Sequence, residues 1–195
     1  MVNQKSRRIA PGADVGTRKL ISIYGEPVLV PDPNMLVHLQ FRRFAGCPMC
    51  HLHLQALRAR YAEIEAAGIR EVVLFHSSTT SLLAHQSDPP PFAVVGDPEK
   101  RLYREFGVEA SWRAPLHPGA WRAEVRGLLA KRRKFAFDFN GGPRGLPADF
   151  LVAPNGKVLA SKYGVHGYDQ WSVDEILKLA AEASSAGTDI RSNPG

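Results

Sequence analysis

Apolar and polar positions along the chain repeat with two periods, and each change of period marks an element. Residues 18 to 30 alternate weakly around Tyr24-Gly25-Glu26-Pro27, a turn-forming group, which predicts a short hairpin with arms at 20–23 and 28–30. Asp32-Pro33-Asn34 ends it. Residues 35–41 form a dense apolar run of strand length that stops at Arg42-Arg43-Phe44-Ala45-Gly46, immediately before Cys47-Pro48-Met49-Cys50. From Pro48 onward Leu54, Leu57, Tyr61, Ile64 and Ala67 recur at helical spacing, and Gly68 is a natural stop, so one helix is expected over 48–67.

A second dense run at 72–75 reads as a strand buried on both faces, followed by a short helix around 82–86 and a break at Asp88-Pro89-Pro90-Pro91. A third strand is expected at 92–95. Asp97 then looks like the cap of a helix over 98–106, with Pro98 in its first position and Gly107 closing it. Strands at 149–153 and 157–161 are joined by Pro154-Asn155-Gly156, a strong hairpin signal, and a last helix at 173–183 opens on the capping pair Ser172 and Glu175. The order predicts an α/β fold with a central mixed sheet and helices on both faces. Residues 17–183 read as one domain between flexible tails at 1–16 and 184–195. The stretch 108–146 is too long for a loop and predicts a helical insertion.

Composition agrees with one globular domain. Of 195 residues, 44% are hydrophobic and 23% charged, enough to bury a full core without disorder or a coiled coil. The net charge of +6 gathers at Arg42-Arg43 and at Lys131-Arg132-Arg133-Lys134. The second run ends an amphipathic stretch and lacks interleaved aromatics or a recognition motif, so it reads as a solvated helix end and no nucleic-acid partner is expected. No run approaches the roughly 20 apolar residues of a membrane span. Ser6-Arg7-Arg8 is followed by Pro11, Gly12, Asp14 and Gly16 instead of an apolar segment, so a cytoplasmic location is expected.

The two cysteines change the picture most. Cys47 and Cys50 close too short a loop to staple a fold, and a reducing compartment favours chemistry over structure. The strand, turn and helix around them place Cys47 where helix amides and the dipole stabilise a thiolate, with Pro48 in the donor-free first position and Cys50 one turn on. Arg42 and Arg43 add positive potential, at most one of them from the sulfur side. Three rival readings remain beside this one: two buried thiols by chance, a c-type haem attachment at Cys47-Pro48-Met49-Cys50-His51, and soft-metal binding by Cys47, Cys50, His51 and His53. No second ligand pair accompanies the cysteines, so no structural metal and no cofactor is expected. His76 ends the second core strand on the crevice side, and His38 inside the first reads as a hydrogen-bonded core residue.

The segment Leu39-Gln40-Phe41-Arg42-Arg43-Phe44-Ala45-Gly46-Cys47-Pro48-Met49-Cys50, with the stretch from Gly145-Leu146-Pro147 through Asn155-Gly156-Lys157, resembles the peroxiredoxin-like branch of the alkyl hydroperoxide reductase/thiol-specific antioxidant family, within the thioredoxin-fold superfamily. The resemblance implies a thioredoxin-like fold and a thiol redox enzyme with no cofactor. It makes Cys47 the attacking sulfur and Cys50 the resolving one, and builds the substrate pocket from Pro48, Arg43, Arg144 and Pro147, the last as a cis-proline. It also implies a peroxide or disulfide substrate, a thioredoxin-type electron donor, and room for a homodimer. One departure stands out: the family's Pro-x-x-x-Thr-x-x-Cys has Gln40 and Phe44 here, and Phe44 donates no hydrogen bond to a peroxide. Peroxidase, disulfide oxidoreductase without peroxidase activity, and non-catalytic thioredoxin-fold binding protein are the readings this leaves open.

Overall fold

The turn-forming group at 24–27 closes a hairpin in which β1 (Arg18–Ile21) and β2 (Pro27–Val30) pair antiparallel, Arg18 opposite Val30. The computed structural model describes residues 8–86, 88–108 and 145–189; the expected insertion at 108–146, the basic run 131–134 and Arg144 fall largely or wholly outside them. After the hairpin come β3 (Leu36–Arg42), α1 (Pro48–Ala59), α2 (Tyr61–Ala66), β4 (Ile69–Phe75), α3 (Thr79–His85), β5 (Ala93–Gly96) and α4 (Arg101–Glu105). The chain ends with β6 (Ala148–Val152), β7 (Val158–Tyr163) and α5 (Val173–Asp189). Five strands form one sheet in the order β5-β4-β3-β6-β7. β3, β4 and β5 are parallel, as helical crossovers require, while β6 and β7 add the antiparallel hairpin.

Side-chain alternation divides the sheet into two faces. Val37, Leu39, Phe41, Val72, Leu74 and Phe150 pack against Val28 and Val30 of the hairpin and against Tyr103 and Phe106 from α4 and its end. On the other face Ile69, Val73, Phe75 and Leu151 pack against Leu57 of α1, Ile64 of α2, Leu82 of α3 and Ile176 and Ala180 of α5. Helices therefore lie on both faces, as the element order predicts, and the fold is α/β with a mixed sheet. Among the described residues no helix is long and apolar enough to cross a membrane.

Four local expectations are corrected. The helix expected over 48–67 breaks at Arg60 (φ −119°), whose guanidinium bonds Glu63 and reaches Asp174 at the start of α5, 2.6 Å away. An apolar period runs through such a one-residue departure undisturbed. α4 starts at Arg101 and not at Pro98, because Lys100 takes a left-handed conformation (φ 55°); the Asp97 carboxylate still caps it, accepting from Arg101 and Leu102 N–H at 2.9 and 2.8 Å. α5 runs on to Asp189 in place of a loose tail from 184, with Ser184 and Ser185 hydroxyls bonded to the carbonyls of Ala180 and Glu182. Finally, residues 9–15 are not a free tail. Gly12 N–H donates to Val158, Val15 N–H to Gly156, and Ile9 N–H to the Tyr163 hydroxyl, which fastens the segment along β7 and buries Val15.

Candidate active site

Gly46 makes the turn that delivers the first cysteine. It holds φ +77°, and a Cβ there would stand 2.7 Å from the His85 ring, so both conformation and space exclude a side chain. Cys47 is the N-cap of α1, Pro48 fills the first position, and the first helical bond runs from His51 N–H to the Cys47 carbonyl at 3.0 Å. The loop is pinned to the end of β4: Ala45 N–H donates to Ser77 Oγ at 2.9 Å, and His76 N–H to the Arg43 carbonyl at 3.1 Å. Cys50 N–H donates to Cys47 Sγ at 3.5 Å. Both thiols are free and buried, 2% and 4% exposed.

The two thiols ionise as a pair. Burial opposes charge on either sulfur. For Cys50 it is outweighed by the hydrogen bond from the Cys47 thiol and by the positive field of Arg43, then Arg42, which bring it down to about 7. Burial and then the neighbouring sulfur push Cys47 well up. The pair thus gives up one proton near neutral pH and holds the second tightly. Arg43 favours the charged form of both sulfurs from the end of β3, so the one negative charge belongs to the pair and either sulfur can carry it. Arg43 is buried, its guanidinium lies 5.3 Å from the Phe44 ring centroid, and Gly167 leaves room for its Nη1.

Beneath α1 lies a buried polar row. His38, Gln40 and Arg42 alternate along β3 onto the face that α1 covers, and the strand register sets Glu71 beside His38 and Asp149 beside Gln40. Arg42 donates to Asp149 Oδ1 at 2.6 Å and meets His53 Nε2 at 3.0 Å; His38 bridges Glu71 at 2.8 Å and Asp149 at 3.2 Å. Gln40 bonds both Glu71 and Arg42. Burial disfavours charge on His38, but Glu71 and Asp149 prevail and raise it to about 9; burial is likewise overcome at Asp149, which Arg42 and His38 hold far below the usual carboxylate range. His53 is pushed well down by burial and by Arg42, so the row carries two cations, two anions and one neutral imidazole. His38 is the hydrogen-bonded core residue the sequence suggests. His53 is committed to this row, its Nε2 bonded to Arg42 and Gln40, and it is not among the residues that line the cleft with the sulfurs.

A cleft of about 80 Å³ opens onto the cysteines. Cys47 and Cys50 share it with apolar Phe44, Phe75, Leu82 and Phe92 and with a polar rim that includes His85 and Arg58. Arg58 ties the far wall to α1 by donating to the Asp88 and Pro89 carbonyls. The expected pocket residues fare differently. Pro48 is buried in the first turn of α1, Arg43 lies behind the sulfurs, and neither is among the residues lining the cleft. Pro147 is buried away from it, its carbonyl accepting from Gly164 N–H at 2.9 Å, and its peptide bond is not cis; among the described residues the cis bond is Val30–Pro31. His76 is buried behind Phe44 and held down near 4 by burial, Lys100 and Arg43, with neither ring nitrogen hydrogen-bonded among the described residues. His85 also lines the cleft, a position that carries no signal in the sequence until the turn at Gly46 is built.

A mixed sheet with this topology and a Cys-Pro-x-Cys at the start of α1 defines a thioredoxin-like fold. The chain belongs to the AhpC/TSA antioxidant enzyme family, whose model matches residues 56–166, more than half of the chain. Among solved structures it is similar to the peroxidoxin BcpB of Mycobacterium tuberculosis, at 14% identity and TM-score 0.64 over 90% of this chain and 98% of the other. The reduced 2-Cys peroxiredoxin of Plasmodium vivax aligns at 15% identity and TM-score 0.66, covering 92% and 84%. A chain assigned as the thiol:disulfide interchange protein DsbE of Chlorobium tepidum aligns at 19% and 0.57, covering 91% and 98%. A search of curated proteins finds no match. The chain is a thiol-dependent redox enzyme of this family. The matched segment begins after Cys50, so the roles of the cysteines rest on their geometry.

Proposed function

We infer that Cys47 and Cys50 are the redox centre and that its oxidant is a peroxide. The observation that carries this reading is the burial of both sulfurs at the floor of a narrow cleft. That space suits a molecule of a few heavy atoms, and a peroxide reaches sulfurs buried there without their having to come to the surface. Cys47 thiolate attacks the peroxide: an S–O bond forms, the O–O bond breaks, and the sulfur becomes a sulfenic acid while the peroxide leaves as an alcohol or water. Cys50 then displaces water to form the Cys47–Cys50 disulfide, and a thioredoxin-type dithiol in a reducing, cytoplasmic compartment returns the pair to thiols. Arg43 sets the charge at the sulfurs. Residues 17–183 carry the whole cycle as one domain.

Phe44 favours a second reading, a disulfide oxidoreductase, because it offers no hydroxyl to a bound peroxide where dithiol exchange needs none. Rapid mixing of the reduced protein with hydrogen peroxide, then with a small disulfide, decides between them. Two thiols lost per peroxide, abolished in Cys47→Ser and stopped at the sulfenic acid in Cys50→Ser, is the expected result. Peroxide reacting no faster than with a free thiol, alongside turnover of the disulfide, establishes the second reading.

A further inference from the structure

α3 ends at His85, and its imidazole packs on the loop that delivers Cys47. A Cβ placed on Gly46 would lie 2.7 Å from Cδ2 and 2.9 Å from Nε2, so the Nε2 edge faces the peptide just before the cysteine. The ring lines the same cleft as both sulfurs. Its other nitrogen is spoken for: Nδ1 lies 2.8 Å from the Ser81 carbonyl one turn back. A carbonyl only accepts, so in the neutral tautomer Nδ1 carries the proton and Nε2 keeps its lone pair. One nitrogen is thus fixed by the backbone and the other lies beside the residue that precedes Cys47, on the cleft the sulfurs share, an arrangement suited to an oriented acid–base histidine.

The neighbours leave this task to His85. His51 Nε2 bonds Gln55, His53 belongs to the buried row, and His76 stands outside the cleft. The remaining charged groups on the cleft are Arg58 of α1 and Asp88 of the loop before β5, with Arg43 and Arg42 acting on the sulfurs from β3. Arginine stays protonated, and of the groups on the cleft that can exchange a proton it is His85 whose ring packs against the residue before Cys47. Burial opposes charge on either sulfur, so a group on the cleft that holds the released proton favours the thiolate.

We propose that His85 is a catalytic acid–base residue: Nε2 takes the proton the dithiol pair releases on ionising and returns it to the oxygen that departs when the O–O bond breaks. In balance, two thiols and a neutral imidazole become one thiolate, one thiol and an imidazolium. Attack by the Cys47 thiolate gives the sulfenic acid and an alkoxide or hydroxide, and the imidazolium protonates that anion, ending neutral. The proposal rests on the peroxidase reading for its leaving group, and its test separates the two.

His85→Asn keeps an amide donor for the Ser81 carbonyl while removing Nε2, and His85→Ala leaves space for added imidazole. With hydrogen peroxide at neutral pH, both variants are expected to lose about 10²-fold or more in the rate of thiol oxidation. Imidazole in the buffer should restore a substantial part of the rate to His85→Ala alone. A rate indistinguishable from wild type, or a loss that imidazole does not restore, overturns the proposal. If the wild-type protein itself fails to react with peroxide, the peroxidase reading falls and alkylation by iodoacetamide across pH decides for His85. A half-reaction pH raised by about one unit in His85→Asn sustains the proton partnership with the pair, and an unchanged one overturns it.

Discussion

At Gly46 a single residue answers two demands, a left-handed backbone and contact with the His85 ring. Gly46→Ala adds a strained conformation worth about 1–2 kcal/mol to a collision with that ring. The expected result is a lower Tm together with a thiol oxidation rate that falls further than the loss of stability explains, read by thermal unfolding and rapid mixing on the same sample. The cysteines were legible because spacing, a following proline and a preceding strand all fall within a few residues. His85 was not, because it reaches the site from 38 positions away in sequence through a turn whose conformation no local pattern encodes. Arg42 and Arg43 were legible as charges but not by role: one anchors the buried row and the other lies behind the sulfurs.

Among elements, the caps tie sequence to structure most directly. Ser172 Oγ accepts from Glu175 N–H at 3.3 Å while the Glu175 carboxylate accepts from Ser172 N–H at 2.7 Å, the reciprocal pair read from the sequence. Ser172→Ala should lower stability by about 1 kcal/mol, measured by urea unfolding, with the peroxide rate unchanged since α5 meets the cleft nowhere among the described residues. Strands were legible from their apolar density, and their pairing followed from the intervening helices. The starts and stops were less so: Lys100 and Arg60 each shift an element boundary through one backbone angle, which hydrophobic period does not register. β3 hid its most unusual property in the same way. Its run reads as apolar, yet alternate positions carry His38, Gln40 and Arg42, and their charges make sense only once the register supplies Glu71 and Asp149.

For the molecule as a whole, that buried row makes stability depend on pH from both sides. His38, raised from 6.5 to about 9, stabilises the fold fully below about 6.5 and loses that contribution as pH climbs through about 9. His76, lowered to about 4, and His53, lowered well below its ordinary value, act in the opposite direction. The unfolded chain takes up protons that the folded one refuses, so stability falls as pH drops from about 6.5 toward 4. Asp149 adds a further loss once pH falls below about 3.8, its unfolded value. Urea midpoints should decline as pH falls from about 6.5 toward 4, while between about 7 and 9 the lowered Cys50 thiol offsets the loss from His38, so an alkaline decline should emerge in Cys50→Ser and shrink again when His38→Gln is added. A flat acid limb would show that the buried imidazoles do not titrate as their surroundings dictate.

The segment at 9–15 has a bearing beyond the site. β7 receives the Gly12 and Ala13 backbone along its outer side, and Val94 of β5, at the opposite edge, accepts from Ile23 N–H at 2.8 Å. Each terminal strand therefore has part of its hydrogen-bonding row occupied by its own chain, and a second molecule finds less of a template onto which to add a strand. Backbone between residues 12 and 23 thus leaves less of either edge open to intermolecular β-pairing, the route by which an open sheet drifts toward fibres in a crowded solution.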